Sequence, residues 1–459
     1  MTDFSFSTLP LPQPLLTNLD RLGYKEMTAI QQQALPEVLA GRDLIAKAKT
    51  GSGKTAAFGI GLLLKLRSRN FATQSLVLCP TRELASQVAT ELRKLARFTD
   101  NLKILTICGG QPIGPQIGSL EHGAHVVVGT PGRIKDHLRK NTLKLDQVHT
   151  VVLDEADRML DMGFSDDIKH IISHTPSKRQ TLLFSATYPK TIAALSADIL
   201  NAPVTVEVEA THSQNQIEQH FFEFDKEEKL QGLGKVLQHY QPEFAVIFCN
   251  MKQTCNDVQQ YLRSLGYSAK AIHGDLDQRD RDQILVQFAN RSCAFLIATD
   301  VAARGLDIEE LPCVINYDLT RDAEVHTHRI GRTGRAGKQG LALNLYQPSE
   351  AYKVTAIERN FETEFENTDL PGTLPAIEAP PPPMVTLSIG GGKKNKVRPG
   401  DILGALTGDA GIPGNQVGKI NVYDFVTYVA VERSSARKAE DRLNKGKIKG
   451  RKFKVRRLS

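Results

Sequence analysis

Two segments of this chain bring together residue types whose spacing could do chemistry. Ala48-Lys49-Thr50-Gly51-Ser52-Gly53-Lys54-Thr55 lies between the short apolar segment Leu44-Ile45-Ala46 and a helix-like stretch from Ala56 to Leu66. Glycines at 51 and 53 let the backbone curl so that its N–H groups point at phosphate oxygens, helped by the positive end of the following helix. In such a phosphate loop, residues 48–55 bind the nucleotide, Lys54 reaches the β- and γ-phosphates and the Thr55 hydroxyl binds Mg²⁺, with Ala48 in place of the first glycine of the pattern. The second segment, Asp154-Glu155-Ala156-Asp157, follows the apolar run Val151-Val152-Leu153. Carboxylates carried by a buried strand into its C-terminal crevice can hold a metal ion and a water. Asp154 is therefore the expected second anchor of Mg²⁺, and Glu155 the expected base that orients a water. The two segments together imply hydrolysis of a nucleoside triphosphate.

Strands and helices must position these groups, and their pattern is visible. Between residues 71 and 190, short apolar segments recur at Ser75–Cys79, Lys103–Cys108, His125–Val128, Thr150–Leu153 and Gln180–Phe184, separated by helix-like stretches. This alternation predicts a parallel α/β sheet. The pattern weakens after Val204 and resumes at Ala245–Cys249, Ala269–Ile272, Ala294–Ala298, Cys313–Tyr317 and Leu341–Tyr346, predicting a second α/β lobe. That lobe lacks a phosphate loop but holds His328-Arg329-Ile330-Gly331-Arg332-Thr333-Gly334-Arg335. Arg332 and Arg335, three residues apart in a glycine-rich segment, suit the neutralisation of charge on a transferring phosphoryl group. If they act on a nucleotide held by the first lobe, hydrolysis is coupled to motion of the lobes.

The net charge of +7 is unevenly distributed: residues 384–459 carry 17 Lys and Arg against 6 Asp and Glu, whereas residues 1–383 carry 41 against 45. A Pro-rich stretch, 369–383, ends in Ala379-Pro380-Pro381-Pro382-Pro383 and reads as an extended spacer that sets the basic tail apart as a third domain. In the tail, Val385–Ile389, Val417–Val422, Phe425–Val431 and Lys447–Arg457 read as strands, and Asp401–Leu406 and Ser434–Leu443 as helices. That β-α-β-β-α-β order is RRM-like. Its sheet is poor in aromatics, Tyr428 being the only one expected on the outward face, so the basic segments Lys393–Arg398 and Lys445–Arg457 are the expected RNA-holding surface. They include Lys393, Lys394, Lys447, Lys449, Arg451 and Lys452.

Residues 4–348 resemble the two-lobed core of the DEAD-box RNA helicases, with motifs in that family's order and spacing. Gly23-Tyr24-Lys25-Glu26-Met27-Thr28-Ala29-Ile30-Gln31 is similar to the adenine-reading motif, Met27 standing where proline is common. The resemblance implies that Gln31 bonds the base, that Tyr24 stacks on it, and that Phe6 is the isolated upstream aromatic. It implies RNA-backbone contacts from Pro80, Thr81, Arg82, Gly110, Thr130 and Arg133 in the first lobe. In the second lobe it implies the same for Phe248, Asn250, Gln278, Arg281 and Thr299. Ser185 and Thr187 would tie nucleotide state to RNA binding, Asp307 would contact the nucleotide, and Arg332 and Arg335 would be the finger arginines. The departures are Thr320 for a usual proline and His326-Thr327 for a frequent aromatic-aliphatic pair.

The implied fold is α/β, with two tandem RecA-like lobes at 1–207 and 217–368, the spacer at 369–383, and a small α+β RRM-like domain at 384–459. A core with this tail, including Gly390-Gly391-Gly392-Lys393-Lys394 and Arg398-Pro399-Gly400-Asp401, resembles the bacterial DbpA group of that family. That implies docking on a hairpin of 23S ribosomal RNA, targeting ATP- and Mg²⁺-dependent unwinding to pre-50S particles during large-subunit assembly.

The sequence shows no basic leader and no apolar run long enough to span a membrane, so the expectation is a cytoplasmic monomer without an obligate protein partner. Six cysteines without C-x-x-C spacing are expected to be buried free thiols. Two other readings remain open here: a DNA-translocating helicase, and an RNA-binding scaffold that uses ATP only as a clamp.

Overall fold

A computed structural model of the chain describes residues 4–48, 51–208, 217–303, 311–334, 339–371, 379–409 and 411–458. Lys49, Thr50, Asp307 and Arg335, expected at the nucleotide site, lie outside the described residues. The chain forms two compact units, one holding the first lobe and the other the second lobe together with the C-terminal sheet.

In the first lobe, β1 (Leu44–Lys47), β2 (Ser75–Leu78), β3 (Ile104–Ile107), β4 (Val126–Gly129), β5 (Thr150–Asp154), β6 (Gln180–Ser185) and β7 (Val204–Glu207) form one sheet in the order β3-β4-β2-β5-β6-β1-β7. Every pairing is parallel. The strands read as continuous apolar runs because helices cover both faces. Leu44, Ala46, Val77, Val152, Leu182 and Phe184 pack on one side, and Ile45, Leu76, Leu78, Val151, Leu153 and Leu183 on the other.

The second lobe repeats this plan with β8 (Ile217–Glu223), β9 (Ala245–Phe248), β10 (Ala269–Ile272), β11 (Phe295–Ala298), β12 (Cys313–Asn316) and β13 (Gly340–Tyr346). Their order is β10-β11-β9-β12-β13-β8, again parallel throughout. Strands β7 and β8 had no counterpart in the sequence reading. Both are edge strands, and their mixed burial interrupts the apolar run by which the inner strands were read.

The tail forms an antiparallel sheet of β14 (Met384–Ile389), β15 (Val417–Val422), β16 (Thr427–Glu432) and β17 (Val455–Arg457), in the order β15-β16-β14-β17. Helices Pro399–Gly404 and Ala436–Lys445 accompany it, and Leu387, Ile389, Val429, Val431, Ile402 and Leu443 form its core. The last strand is much shorter than the expected Lys447–Arg457. Lys449 and Gly450 adopt left-handed φ of 50° and 77°, and Ile448 pairs back on Arg451, so the basic run turns sharply before it can join the sheet.

The outer face of this sheet is covered at its central strands β14 and β16. Thr386, Tyr428 and Ala430, all on that face, are at most 4% exposed because helix Gln278–Ala289 of the second lobe and the turn after it pack there. Asn290 Nδ2 donates to Thr386 Oγ1 at 3.2 Å, the hydroxyls of Ser292 and Thr386 lie 2.6 Å apart, and Met384 N donates to Arg291 O at 3.4 Å. A tail expected to stand apart behind its spacer thus has its own sheet and core but is packed on the second lobe.

All six cysteines are free and buried. Among the described residues no helix is long and apolar enough to cross a membrane.

Candidate active site

The C-terminal ends of the first-lobe strands divide by position in the sheet. Ala48, Glu155 and the segment Ser185–Thr187 follow or end neighbouring strands β1, β5 and β6. Pro80–Arg82, Gly109–Gly110 and Thr130–Arg133 follow β2, β3 and β4. The residues expected at the nucleotide and those expected on RNA therefore occupy two halves of one crevice, where ligands bind in open parallel sheets.

In the phosphate loop, Ala48 N donates to Ser185 O at 3.0 Å, fastening the loop's entry to β6. Gly51 and Gly53 take φ of 80° and 92°, as a curled loop before helix Lys54–Leu64 requires. Gln31, 1% exposed, donates from Nε2 to Gly53 O at 3.1 Å and accepts from Thr28 N at 2.9 Å. A side chain at 53 would collide with it. The residue expected to read the base thus also braces the phosphate loop. Tyr24 donates its hydroxyl to Glu91 Oε1 at 2.9 Å and meets Phe6 edge-on, with ring centroids 6.2 Å apart.

Lys54 and Asp154 are 6% and 3% exposed, yet Lys54 Nζ and Asp154 Oδ1 have no hydrogen-bond partner. Buried polar groups are ordinarily paired, so an orphaned ammonium and carboxylate beside a phosphate loop fit a bound phosphate and its metal ion. Burial pushes the Asp154 carboxyl up to about 6, the nearby Lys54 charge opposing and Glu155 reinforcing the shift. Glu155 takes a left-handed φ of 54° and is held by Arg158 Nη1 at 2.9 Å, both side chains being at least nine-tenths buried. A non-glycine residue in this region costs about 1–3 kcal/mol, the kind of strain concentrated at functional sites.

Asp157, the last acid of the tetrad, had no role in the sequence reading. Its Oδ2 accepts from Ala186 N at 3.2 Å, Thr187 N at 3.0 Å and Thr187 Oγ1 at 3.1 Å, while Ser185 Oγ accepts from Asp157 N at 3.3 Å. Ser185 Oγ in turn donates to Thr187 O at 2.6 Å. The carboxylate tetrad and the coupling segment are therefore one hydrogen-bonded body. The signal was present as a third acid in the tetrad, but only the folded chain shows which group it meets.

On the other half of the crevice, Thr81 Oγ1 caps helix Arg82–Leu95 by accepting from Leu84 N at 3.2 Å, and the Arg82 guanidinium lies against Gly110. Arg133 donates from both terminal nitrogens to Gln111 O at 3.0 Å and orders the loop after Gly110. Thr130 starts helix Pro131–Arg139, and Pro80 is buried.

In the second lobe the organising residue is Arg329, which the sequence pattern named without giving it a role. It is 2% exposed and grips Asp300 with two nitrogens at 2.6 and 2.7 Å, Asn316 Oδ1 at 3.1 Å, Asp318 O at 2.6 Å and Asn250 Oδ1 at 3.0 Å. The ring of Phe248, expected to face RNA, is instead 3% exposed beneath this guanidinium, whose centre lies 5.1 Å from its centroid. As the last residue of β9 it packs inward, and its side chain supports Arg329 rather than offering a surface. Asn250 remains exposed, its amide donating to Leu319 O at 3.0 Å. Thr299 Oγ1 accepts from Ala302 N at 3.4 Å, and Gln278 donates to Asp282 at 2.8 Å in the helix that also carries Arg281. Arg332 is 8% exposed, one turn beyond Arg329. In the tail, Lys393, Lys394, Lys447, Lys449, Arg451 and Lys452 are all exposed, and Lys449 Nζ donates to Lys396 O at 3.0 Å.

Tandem parallel-sheet lobes, one with a phosphate loop and a carboxylate tetrad tied to Ser185–Thr187, the other with an arginine-centred counterpart, define a nucleotide-driven helicase core. The chain belongs to the DEAD-box ATP-dependent RNA helicases, which are RNA-dependent ATPases. Residues 28–195 match the family model of the DEAD/DEAH box helicase, 228–337 the helicase conserved C-terminal domain, and 386–457 the DbpA RNA binding domain. The chain is 53% identical over 455 residues to the ATP-dependent RNA helicase DbpA of Escherichia coli (strain K12), covering 99% of both chains. It is 44% identical to the DEAD-box ATP-dependent RNA helicase CshA of Geobacillus kaustophilus (strain HTA426), over 82% of this chain and 80% of the relative. Among solved structures, S. cerevisiae Dbp5 bound to RNA and ADP BeF3 matches with a TM-score of 0.73 and 30% identity, over 80% of this chain and 95% of that one.

Proposed function

We propose that this helicase unwinds short RNA duplexes locally and is directed by its C-terminal domain to a hairpin of 23S ribosomal RNA, acting on pre-50S particles in the cytoplasm as a monomer. The observation that carries this reading is the pairing of an ATPase core with a basic tail matching the DbpA RNA binding domain. The near full-length similarity to E. coli DbpA supports it.

The lack of a hydrogen-bond partner at Lys54 Nζ supports a role in which it reaches the β- and γ-phosphates, and Mg²⁺ would be held by Thr55 and Asp154 together with phosphate oxygens and water. When bound, the metal ion offsets charge on the transferring phosphoryl group. Glu155 orients the attacking water, Gln31 reads the adenine, and Arg332 neutralises the transition state from the other lobe. Because Asp157 fastens Ser185–Thr187 to the tetrad, a shift at the phosphates moves the tetrad and this segment as one body. Threonine hydroxyls and backbone amides in the RNA-contacting half of the crevice would hold phosphates and 2′-hydroxyls, favouring RNA over DNA without reading bases.

The test is an ATPase assay with RNA, DNA or the 23S hairpin. Wild type should turn over fastest with the hairpin and not respond to DNA, whereas Glu155→Gln should still bind ATP and RNA but show no turnover. Full RNA-stimulated hydrolysis by Glu155→Gln would sink the catalytic assignment, and equal stimulation by any RNA would remove the targeting role.

A further inference from the structure

Docking of the tail on the second lobe covers the central strands of its sheet face, so the tail has to offer bases another surface for stacking. The most exposed large apolar side chain of the tail is Phe425, 71% exposed at the tip of the turn between β15 and β16. This tip is rigidly built. Tyr423 N donates to Val426 O at 2.9 Å, Lys393 N to Tyr423 O at 2.8 Å and Lys394 N to Asp424 O at 2.9 Å. The buried Thr427 Oγ1 donates to Gly391 O at 2.7 Å, and at Gly392 any side chain would strike the carbonyls of Tyr423 and Asp424. The backbone that carries an exposed aromatic ring is thus fastened to the backbone of two exposed lysines, with Asp424 as the one acid in the turn.

The corner is also adjacent to the core's expected RNA contacts. Tyr423 packs edge-on against Tyr428 at 5.7 Å, and Asp282 helps burial push the Tyr423 hydroxyl up to about 12. Asp282 accepts from Gln278 in the helix that carries Arg281. The Tyr423–Val426 turn therefore neighbours the helix that carries Gln278 and Arg281.

We propose that Phe425 is a stacking platform for an unpaired RNA base, with Lys393 and Lys394 on the flanking phosphates, and that this corner extends the second lobe's RNA surface onto the tail. Aromatic rings stack any base, so the site takes single-stranded RNA next to a duplex and tolerates its sequence. The proposal rests on the RNA-binding reading of the tail and adds the chemical class of RNA that this corner takes.

The experiment uses the full chain and two hairpins, one blunt and one with short unpaired extensions carrying 2-aminopurine. Phe425→Ala should weaken binding of the extended hairpin about tenfold or more and abolish quenching of 2-aminopurine. Its affinity for the blunt hairpin and its melting temperature should hold, and Phe425→Trp should behave as wild type. Unchanged affinity for both hairpins, or an equal loss on both, would overturn the stacking site. Failure of the wild-type chain to bind either hairpin would overturn the RNA-binding reading beneath it.

Discussion

Asp154 illustrates how a single side chain can be shaped for a ligand at a cost to stability. Burial holds the proton on this carboxyl up to about 6, against an ordinary 3.8, although Lys54 opposes the shift. A folded-state value above the unfolded one means that the folded chain binds the proton more tightly. The corresponding stability is therefore present below about pH 4 and lost as pH rises through about 6. Asp154→Asn should raise the melting temperature of the nucleotide-free protein at pH 7.5, by about 1–3 kcal/mol of stability, while abolishing ATP turnover. Thermal melts of both proteins at pH 7.5 and pH 4 check this, because the gain should vanish at the lower pH, where wild type is already protonated.

The helix Ala323–Ile330 shows how one element can serve both fold and site. Its Arg329 organises Asn250, Asp300 and Asn316, and it leads directly into Arg332. Three residues earlier on the same helix, His326 is fully buried, its Nε2 lying 3.0 Å from Gln219 Oε1 and its Nδ1 having no partner. Its ring sits against Phe221 and Phe361, with centroids 6.3 and 6.1 Å away, so the departure from the family's aromatic pattern still fills an aromatic slot. Burial, reinforced by Arg329, drives the imidazole down to about 3. A base with a lowered folded value contributes stability above about pH 6.5 that is lost as pH falls toward 3. Replacing it by Phe should leave neutral-pH stability within about 1 kcal/mol, the lost Gln219 bond being offset by apolar packing. Denaturant melts from pH 7 to pH 4 should show a shallower acid loss in the variant; identical pH profiles would contradict this account.

Across the molecule, the second lobe and the tail meet along one helix. Gln278–Ala289 presents Gln278 and Arg281 as expected RNA contacts while Gln283, Asn290 and Ser292 meet the tail's sheet face. Deleting residues 380–459 should abolish preference for the ribosomal hairpin and spare RNA-independent ATPase. It should also speed amide hydrogen exchange in residues 278–292, which lose their cover. Mass-spectrometric exchange on the deletion and the full chain measures this, and equal exchange would mean that the docking contributes no order to the helix.

What could be read before folding follows local rules. The inner strands β2, β5, β6, β9 and β11 were visible because a strand buried on both faces must be apolar along its length. The phosphate loop and Asp154-Glu155 were visible because phosphate and metal chemistry demands fixed residue types at short spacing. Contacts between distant segments were not. The roles of Asp157 and Arg329, the burial of Phe248 and the exposure of Phe425 each depend on which segments the topology brings together. The same holds for the tail's covered face: Thr386 meets Asn290 from 96 residues away, and no local pattern encodes that pairing. The sequence by itself thus determined the chemistry and the order of the domains. The tertiary structure alone decided which polar groups support one another and which faces remain open to RNA, because hydrogen bonding and burial are settled by neighbours in space.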